Sequence, residues 1–267
     1  MSLADFPLIM GILNITPDSF SDGGQFQHKE TAFNHARQML QQGADIIDIG
    51  GESTRPDSQP ISVQQELDRV IPIIEMVKAE LPVKISIDTS KAQVMQAAIA
   101  AGVDIINDVA ALCHENSLQV AAESNLIVCL MHMQGAPQIM QNNPQYEEVI
   151  AEVKQFLLQR IDACLAQGIA TQNIWIDVGF GFGKKLEHNL QLMKHLENFT
   201  LLDYPVLVGV SRKSMIGKVL DKSIEQRLYG GLGLTALAVA KGAKIIRTHD
   251  VAATQDVVKM VQAVMNS

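Results

Sequence analysis

The chain has 267 residues, 47% of them apolar, and 21 basic against 29 acidic residues give it a formal charge of −8. That is enough apolar side chain for a sizeable core, and the acidic balance argues against a nonspecific nucleic-acid or anionic-membrane binder, since both need a positive field. Cys113, Cys129 and Cys164 are odd in number and never in a Cys-x-x-Cys spacing, which argues against a disulfide framework or structural zinc and for reduced thiols.

The opening MSLADFPLIM lacks the basic start and apolar stretch of a secretory signal, and no apolar run approaches the ~20 residues of a membrane span. The expected location is cytoplasmic. Any anionic ligand of so acidic a chain must be held by a local basic cluster.

In chain order, short apolar strands are predicted at 8–13, 46–49, 83–87, 105–106, 127–131, 174–176, 206–210 and 245–246. Between them run helical patterns at 31–42, 63–80, 92–101, 147–167, 225–241 and 254–265, with weaker ones after the fourth and sixth strands. Three segments repeat one design: GADIIDIG from Gly43, GVDIINDV from Gly102 and GAKIIRTH from Gly242. Each has a glycine placed as a helix C-cap, then an Ile-rich strand ending on a polar residue, the junction of a repeated βα unit. The strands are continuously apolar rather than alternating, as parallel strands buried on both faces should be. Eight such units in about 250 residues predict a single α/β domain over 1–267, a (β/α)8 TIM barrel. The alternative, a doubly wound open sheet, would want a Gly-x-Gly-x-x-Gly after an early strand, and none is present.

In a barrel of this kind the chemistry gathers where the strands end. Those positions read Asn14; Asp48 and then Gly51-Glu52-Ser53-Thr54-Arg55; Asp88-Thr89-Ser90; Asn107-Asp108; His132; Asp177; Ser211-Arg212-Lys213; and Arg247-Thr248-His249. Asp88, Asn107 and Asp177 offer groups that read a flat heterocycle with N–H donors along one edge. Arg55, Arg212, Lys213, Arg247 and His249 are basic, and the last four follow strands seven and eight, a common phosphate site.

Taken singly, each has a plainer reading. Asp88 could cap the following helix, Asn107-Asp108 could be an Asx-turn, His132 a satisfied core histidine, and Arg212 and Lys213 solvated charges. It is the convergence of eight polar strand ends that favours a site. His-Glu-x-x-His and Gly-x-Ser-x-Gly are absent, and GFGFGKK has Val178 where a phosphate-cradling Walker loop needs glycine.

The stretches GILNITPDSFSDGG at 11–24, GGESTRP at 50–56, SIDTSK at 86–91, IINDV at 105–109, CLMHMQG at 129–135, DVGFGFGK at 177–184, GVSRKSMIG at 209–217 and RTHDV at 247–251 together resemble the dihydropteroate synthase family. The resemblance implies a pterin pocket of Asp88, Asn107, Met131, Asp177 and Lys213 with Gly181 and Phe182 nearby. It implies diphosphate contacts from Asn14, Thr54, Arg55, Arg247 and His249, and Mg²⁺ held by Asn14. It places 4-aminobenzoate, the second substrate, near Thr54, Arg55, Phe182, Ser211 and Lys213, and gives the chemistry to Asp88, Lys213 and Arg247. The implied reaction joins 6-hydroxymethyl-7,8-dihydropterin diphosphate to 4-aminobenzoate, and the implied assembly is a homodimer. One departure is Val178, where the family usually has proline.

That reaction needs no protein nucleophile, because loss of diphosphate leaves a cation delocalised into the electron-rich ring, and an aromatic amine is already neutral at pH 7. Positioning and electrostatics are what a protein must supply. The polar segments 16–24 and 52–60 are expected to serve as lids over the two substrates. Two rivals are a catalytically silent pterin-binding barrel and a pterin-dependent methyltransferase, which would need no diphosphate site.

Overall fold

In the computed structural model, residues 7–15, 25–53, 58–135 and 139–267 are described. Eight strands alternate with helices. They are β1 (Leu8–Asn14), β2 (Ile46–Gly50), β3 (Lys84–Asp88), β4 (Ile105–Asp108), β5 (Ile127–Met131), β6 (Ile174–Asp177), β7 (Val206–Val208) and β8 (Ile245–Thr248). All pair in parallel, each with its sequence neighbour, and β8 returns to β1 to close the barrel. The chain is therefore a (β/α)8 TIM barrel, as the alternating pattern predicts.

The helices are α1 (Gln25–Gln41), α2 (Val63–Glu80), α3 (Ala92–Ala101), α4 (Ser117–Ser124), α5 (Val149–Ala166), α6 (Leu186–Lys194), α7 (Glu197–Thr200), α8 (Ser214–Leu220), α9 (Leu228–Ala240) and α10 (Val251–Met265). α2 and α3 match their predicted limits. α2 opens on a reciprocal capping box, in which Ser62 accepts from the Gln65 N–H and Gln65 accepts from that of Ser62. α1 starts earlier than predicted and α9 later, because 224–226 form a 3₁₀ turn instead of α-helix. The predicted glycine junction is found at all three repeats: Gly43, Gly102 and Gly242 lie at φ +99°, +96° and +92°, which only glycine adopts without strain.

Two layers of core hold the barrel. The larger lies between strands and helices, where α2 sets Val70, Ile73, Ile74 and Val77 against the strands at helical spacing. The smaller plugs the interior with Met10, Ile46, Ile105, Cys129, Trp175, Leu207 and Ile245. This plug determines where function goes. Side chains two residues apart on a strand share a face, so the next interior positions after Ile46, Ile105, Cys129, Trp175 and Ile245 are Asp48, Asn107, Met131, Asp177 and Arg247. An apolar floor thus carries a mostly polar layer directly above it. Val178 points the other way, fully buried in the outer core, so the position where the family usually has proline is spent on packing.

Candidate active site

Register brings the strand ends together. Asn14 pairs with Gly50, Gly50 with Asp88, Asp88 with Asn107, and across the barrel Met131 pairs with Asp177. Asn14 and Asp88 both lie against Gly50, where an added Cβ would sit 3.6 Å from the Asn14 Oδ1 and 3.4 Å from the Asp88 Cβ.

At the centre is Arg247. Its Nε donates to Asp48 Oδ2 at 2.6 Å and its Nη2 to Asp88 Oδ2 at 2.7 Å, and Asn107 Nδ2 donates to the same Asp48 oxygen at 3.2 Å. Asp48 is fully buried and Asp88 nearly so. The second oxygen of each carboxylate is buried with no hydrogen-bond partner among the described residues. Burial drives the Asp88 carboxyl up to about 7; the Arg247 guanidinium pulls it down, while the charges of Asp48 and Glu66 push it up further. Arg247 itself is held above its ordinary value by its two carboxylates, against the cost of burial. Asp88 is not a helix cap: α3 has Lys91 at its N-cap position.

The opposite wall is built by the loop after β6. Asp177 Oδ1 accepts the Gly179 N–H at 2.8 Å, Gly181 N–H donates to Asn189 Oδ1 at 2.7 Å, and Lys213 Nζ stands 4.1 Å over the Phe182 ring. Burial raises Asp177, opposed by the Gly179 N–H and by the charges of Lys213, Lys184 and Arg247. Burial and the Arg247 charge bring Lys213 down to about 8, against Asp177 and Asp88. At the rim Ser211 Oγ lies 3.0 Å from His249 Nδ1 and accepts the His249 N–H.

This loop is fastened from beneath by Lys184, which is buried and has four partners for its ammonium: the carbonyl oxygens of His132, Gly179 and Phe182 and His132 Nδ1, at 2.9–3.2 Å. An ammonium only donates, so while Lys184 is charged Nδ1 accepts and the ring proton sits on Nε2; burial brings Lys184 down to about 7, opposed by the Asp177 charge. Burial and the Lys184 charge keep His132 neutral, down at about 3. Gly179, at φ +69°, has no room for a side chain, since a Cβ would overlap the His132 carbonyl oxygen.

Asp88, Asn107, Met131, Asp177, Gly181, Phe182, Ser211, Lys213, Arg247, His249 and Asn14 thus all stand at the C-terminal mouth of the barrel. Thr54 and Arg55 lie outside the described residues, as do 16–24, and with them most of the expected lids. The expected basic cluster divides: Arg212 turns to a two-pronged ion pair with Asp250, at 2.6 and 3.2 Å, while of its other members among the described residues Lys213, Arg247 and His249 stay at the mouth. The Asn107-Asp108 pair divides too. Asn107 faces the interior, while Asp108 accepts from the N–H groups of Ala110 and Leu112 in the turn proposed for it. His132 takes the structural reading. Sequence reasoning assigned no role to Asp48 or Lys184. The parity of Ile46 marks Asp48 as interior, whereas nothing local marks Lys184, whose His132 partner comes from another strand end.

Residues 10–249 match the family model described as pterin binding enzyme. The dihydropteroate synthase of Haemophilus influenzae is 52% identical, over 98% of this chain and 95% of its own. A Yersinia pestis dihydropteroate synthase solved with a sulfonamide drug complex superposes with a TM-score of 0.95 at 45% identity, covering 100% of this chain and 97% of that one. A Xanthomonas albilineans dihydropteroate synthase with 4-aminobenzoic acid gives 0.94 at 45%, covering 100% and 96%.

Proposed function

This chain belongs to the dihydropteroate synthases among the pterin-binding enzymes, and we propose that its barrel mouth works as theirs does, joining 6-hydroxymethyl-7,8-dihydropterin diphosphate to 4-aminobenzoate with release of diphosphate. It is a transferase. The observation that carries the reading is the buried Asp48–Arg247–Asp88 bridge facing Asp177 and Lys213 across one mouth. The carboxylates of Asp88 and Asp177 favour a cation developing on the pterin methylene as its C–O bond breaks, and the amine nitrogen of 4-aminobenzoate then bonds to that carbon and sheds a proton. Asp177 and Asn107 fix the pyrimidine edge, Lys213 donates to ring acceptors, and Met131 and Phe182 line the ring's faces. Arg247 keeps N–H groups beyond the two it gives to carboxylates, and with His249, Asn14, Thr54 and Arg55 these serve the diphosphate. Ser211, Phe182, Thr54 and Arg55 form the 4-aminobenzoate side. Mixing the two substrates with Mg²⁺ should yield dihydropteroate and diphosphate in equal amounts; failure to form either sinks the reading.

Mg²⁺ fits this mouth in a particular way. Among the described residues no group of three or more His, Cys, Asp or Glu could hold a metal, but Asn14 offers one amide oxygen, and Mg²⁺ commonly takes few protein groups plus phosphate oxygens. When bound it neutralises the departing diphosphate. Calorimetry should find weak Mg²⁺ binding to the chain alone and much tighter binding once dihydropterin diphosphate is present; tight binding to the chain alone contradicts the assignment.

The lowered Lys213 sets a pH dependence. A Lys that binds ligand acceptors as an ammonium loses a donor when it deprotonates, so pterin affinity should fall by roughly threefold to tenfold as pH rises through about 8. Lys213→Arg should remove that decline, since guanidinium stays charged. A wild-type affinity that is flat from pH 7 to 9 by titration calorimetry would falsify this role.

A homodimer is supported by the outer face of α9 and α10, which pack side by side. Tyr229 is 82% exposed there, with Leu237, Met260 and Val264 also open to solvent, an apolar surface of the kind that marks an interface. Tyr229→Glu should convert a dimer to a monomer in analytical ultracentrifugation, and a wild-type monomer at micromolar concentration rejects the assembly. Cytoplasmic residence is supported by the three free cysteines and by the lack, among the described residues, of a helix long and apolar enough to cross a membrane.

A further inference from the structure

The turn that follows β7 sends its middle residue away from the mouth and that residue's two neighbours into it. Lys213 N–H donates to the Val210 carbonyl at 3.2 Å, closing a tight turn with Ser211 and Arg212 at its centre. Arg212 sits there at φ +57°, a left-handed backbone that glycine adopts freely and a residue with a Cβ adopts at a cost. Something outside the turn must hold it.

Two contacts do so. On one side the Arg212 guanidinium meets both carboxylate oxygens of Asp250, Nη2 donating to Oδ1 at 2.6 Å and Nε to Oδ2 at 3.2 Å. On the other, Arg227 Nη1 donates to the Arg212 carbonyl at 3.1 Å while its Nε donates to that of Lys222 at 3.2 Å. Gly217 of α8 makes room for this second arginine, since a Cβ there would lie 2.5 Å from Arg227 Nη2. Asp250 occupies the N-cap position of α10, yet its side chain makes no capping hydrogen bond. Its carboxylate goes to Arg212 instead.

The pair is too open to add much overall stability, with 44% of the Arg212 side chain and 22% of that of Asp250 exposed. A two-pronged guanidinium–carboxylate contact nevertheless fixes direction as well as distance. What it directs lies on either side of Arg212. Ser211 Oγ bonds His249, the residue before Asp250, and Lys213 carries its ammonium over the Phe182 ring.

We infer that Arg212 and Asp250 are positioning residues, whose pair holds this turn in its left-handed form and so sets the angle at which Ser211 and Lys213 meet 4-aminobenzoate and the pterin. This rests on the roles of Ser211 and Lys213 given under the proposed function. When residue 212 returns to negative φ, the peptide planes on its two sides rotate against each other, so that Ser211 and Lys213 can no longer reach His249 and Phe182 together. Neither Arg212 nor Asp250 has to touch a substrate.

Steady-state kinetics of the full chain compares Arg212→Ala, which loses the pair and keeps the backbone cost, with Arg212→Gly, which loses both. The kcat/KM for 4-aminobenzoate should drop about tenfold or more in Arg212→Ala and in Asp250→Ala, whereas Arg212→Gly should keep at least about threefold more activity than Arg212→Ala. Adding Asp250→Ala to Arg212→Gly should lower it less than about twofold further, because the pair is already gone. Hydrogen exchange at the Lys213 amide should quicken about tenfold in Arg212→Ala with the β7 amides unchanged, and urea midpoints should stay near wild type. Equal losses in Arg212→Ala and Arg212→Gly, unchanged exchange at Lys213, or a collapsed urea midpoint in Asp250→Ala overturn the proposal. So does a loss confined to the KM for dihydropterin diphosphate, which would make Arg212 a phosphate-facing charge. A wild-type chain that makes no dihydropteroate rejects the proposed reaction instead, and the Lys213 exchange then decides the clamp by itself.

Discussion

Replacing Arg247 with methionine is expected to abolish measurable turnover and to lower stability by about 3–5 kcal/mol, the usual cost of removing one partner from a buried ion pair. The reason is that one guanidinium serves two carboxylates, Asp48 with no exposure and Asp88 with 8%. Its removal leaves both charges in a medium that cannot solvate them. The effect should depend on pH with a definite sign. Asp88 sits at about 7 instead of the ordinary 3.8, so its contribution is stabilising below the unfolded value and is lost as pH rises through the folded one. Arg247 restrains that rise. Without it the folded-state value moves higher, and the deficit of the variant relative to wild type should widen as pH rises past about 7, the folded value with Arg247 in place. Adding Asp48→Asn to Arg247→Met should recover part of the stability and none of the turnover. Urea unfolding at several pH values measures all three; a deficit below about 1 kcal/mol, or one that shrinks as pH rises, contradicts the bridge.

Lys184→Met is expected to cost about 3 kcal/mol or more and to reduce pterin affinity by at least about a hundredfold, although Lys184 meets the proposed pocket only through the backbone carbonyl of Phe182. Three carbonyl oxygens and one imidazole nitrogen would lose their donor at once, and buried acceptors left unpaired carry their full desolvation penalty. The damage should spread along the loop it fastens. Gly181 and Phe182 form the shelf against which Lys213 rests, with the ammonium 4.1 Å over the ring. Once the shelf loosens, Lys213 loses its aim at the pterin. Lys184→Arg should not rescue, because a planar guanidinium cannot replace a compact ammonium inside four converging acceptors. Calorimetry with a pterin ligand and urea unfolding separate the two effects. Wild-type affinity in a folded Lys184→Met protein would show that the loop needs no such fastening.

Much of this molecule was legible before any coordinates because its rules are short-range. A glycine at a helix end, an Ile-rich run and a polar terminus each act over a few residues, and α2 and α3 follow their predicted limits because their helical spacing and end signals agree. The strand ends were read one or two residues too short at β1, β2, β3, β4, β6 and β8, and two residues too long at β7, which ends at Val208. Asp88, Asn107-Asp108, Asp177 and Arg247-Thr248 look like loop yet remain in the ladder, since parallel pairing is made by the backbone and is indifferent to side-chain polarity at the rim.

Sequence alone determined the barrel, its repeat and the identity of the groups at its mouth, because hydrophobic period and turn chemistry are local quantities. Partnership was decided only in three dimensions. Arg247 meets Asp88 across 159 residues and Asp48 across 199, a choice made by closure of β8 onto β1 and by which face of each strand looks inward. The same closure sends Arg212 to Asp250 and lets Lys184 reach the end of β5. A linear pattern names charges; only the closed sheet sets the few ångströms that decide whether a charge is a helix cap, a surface ion or half of a buried bridge.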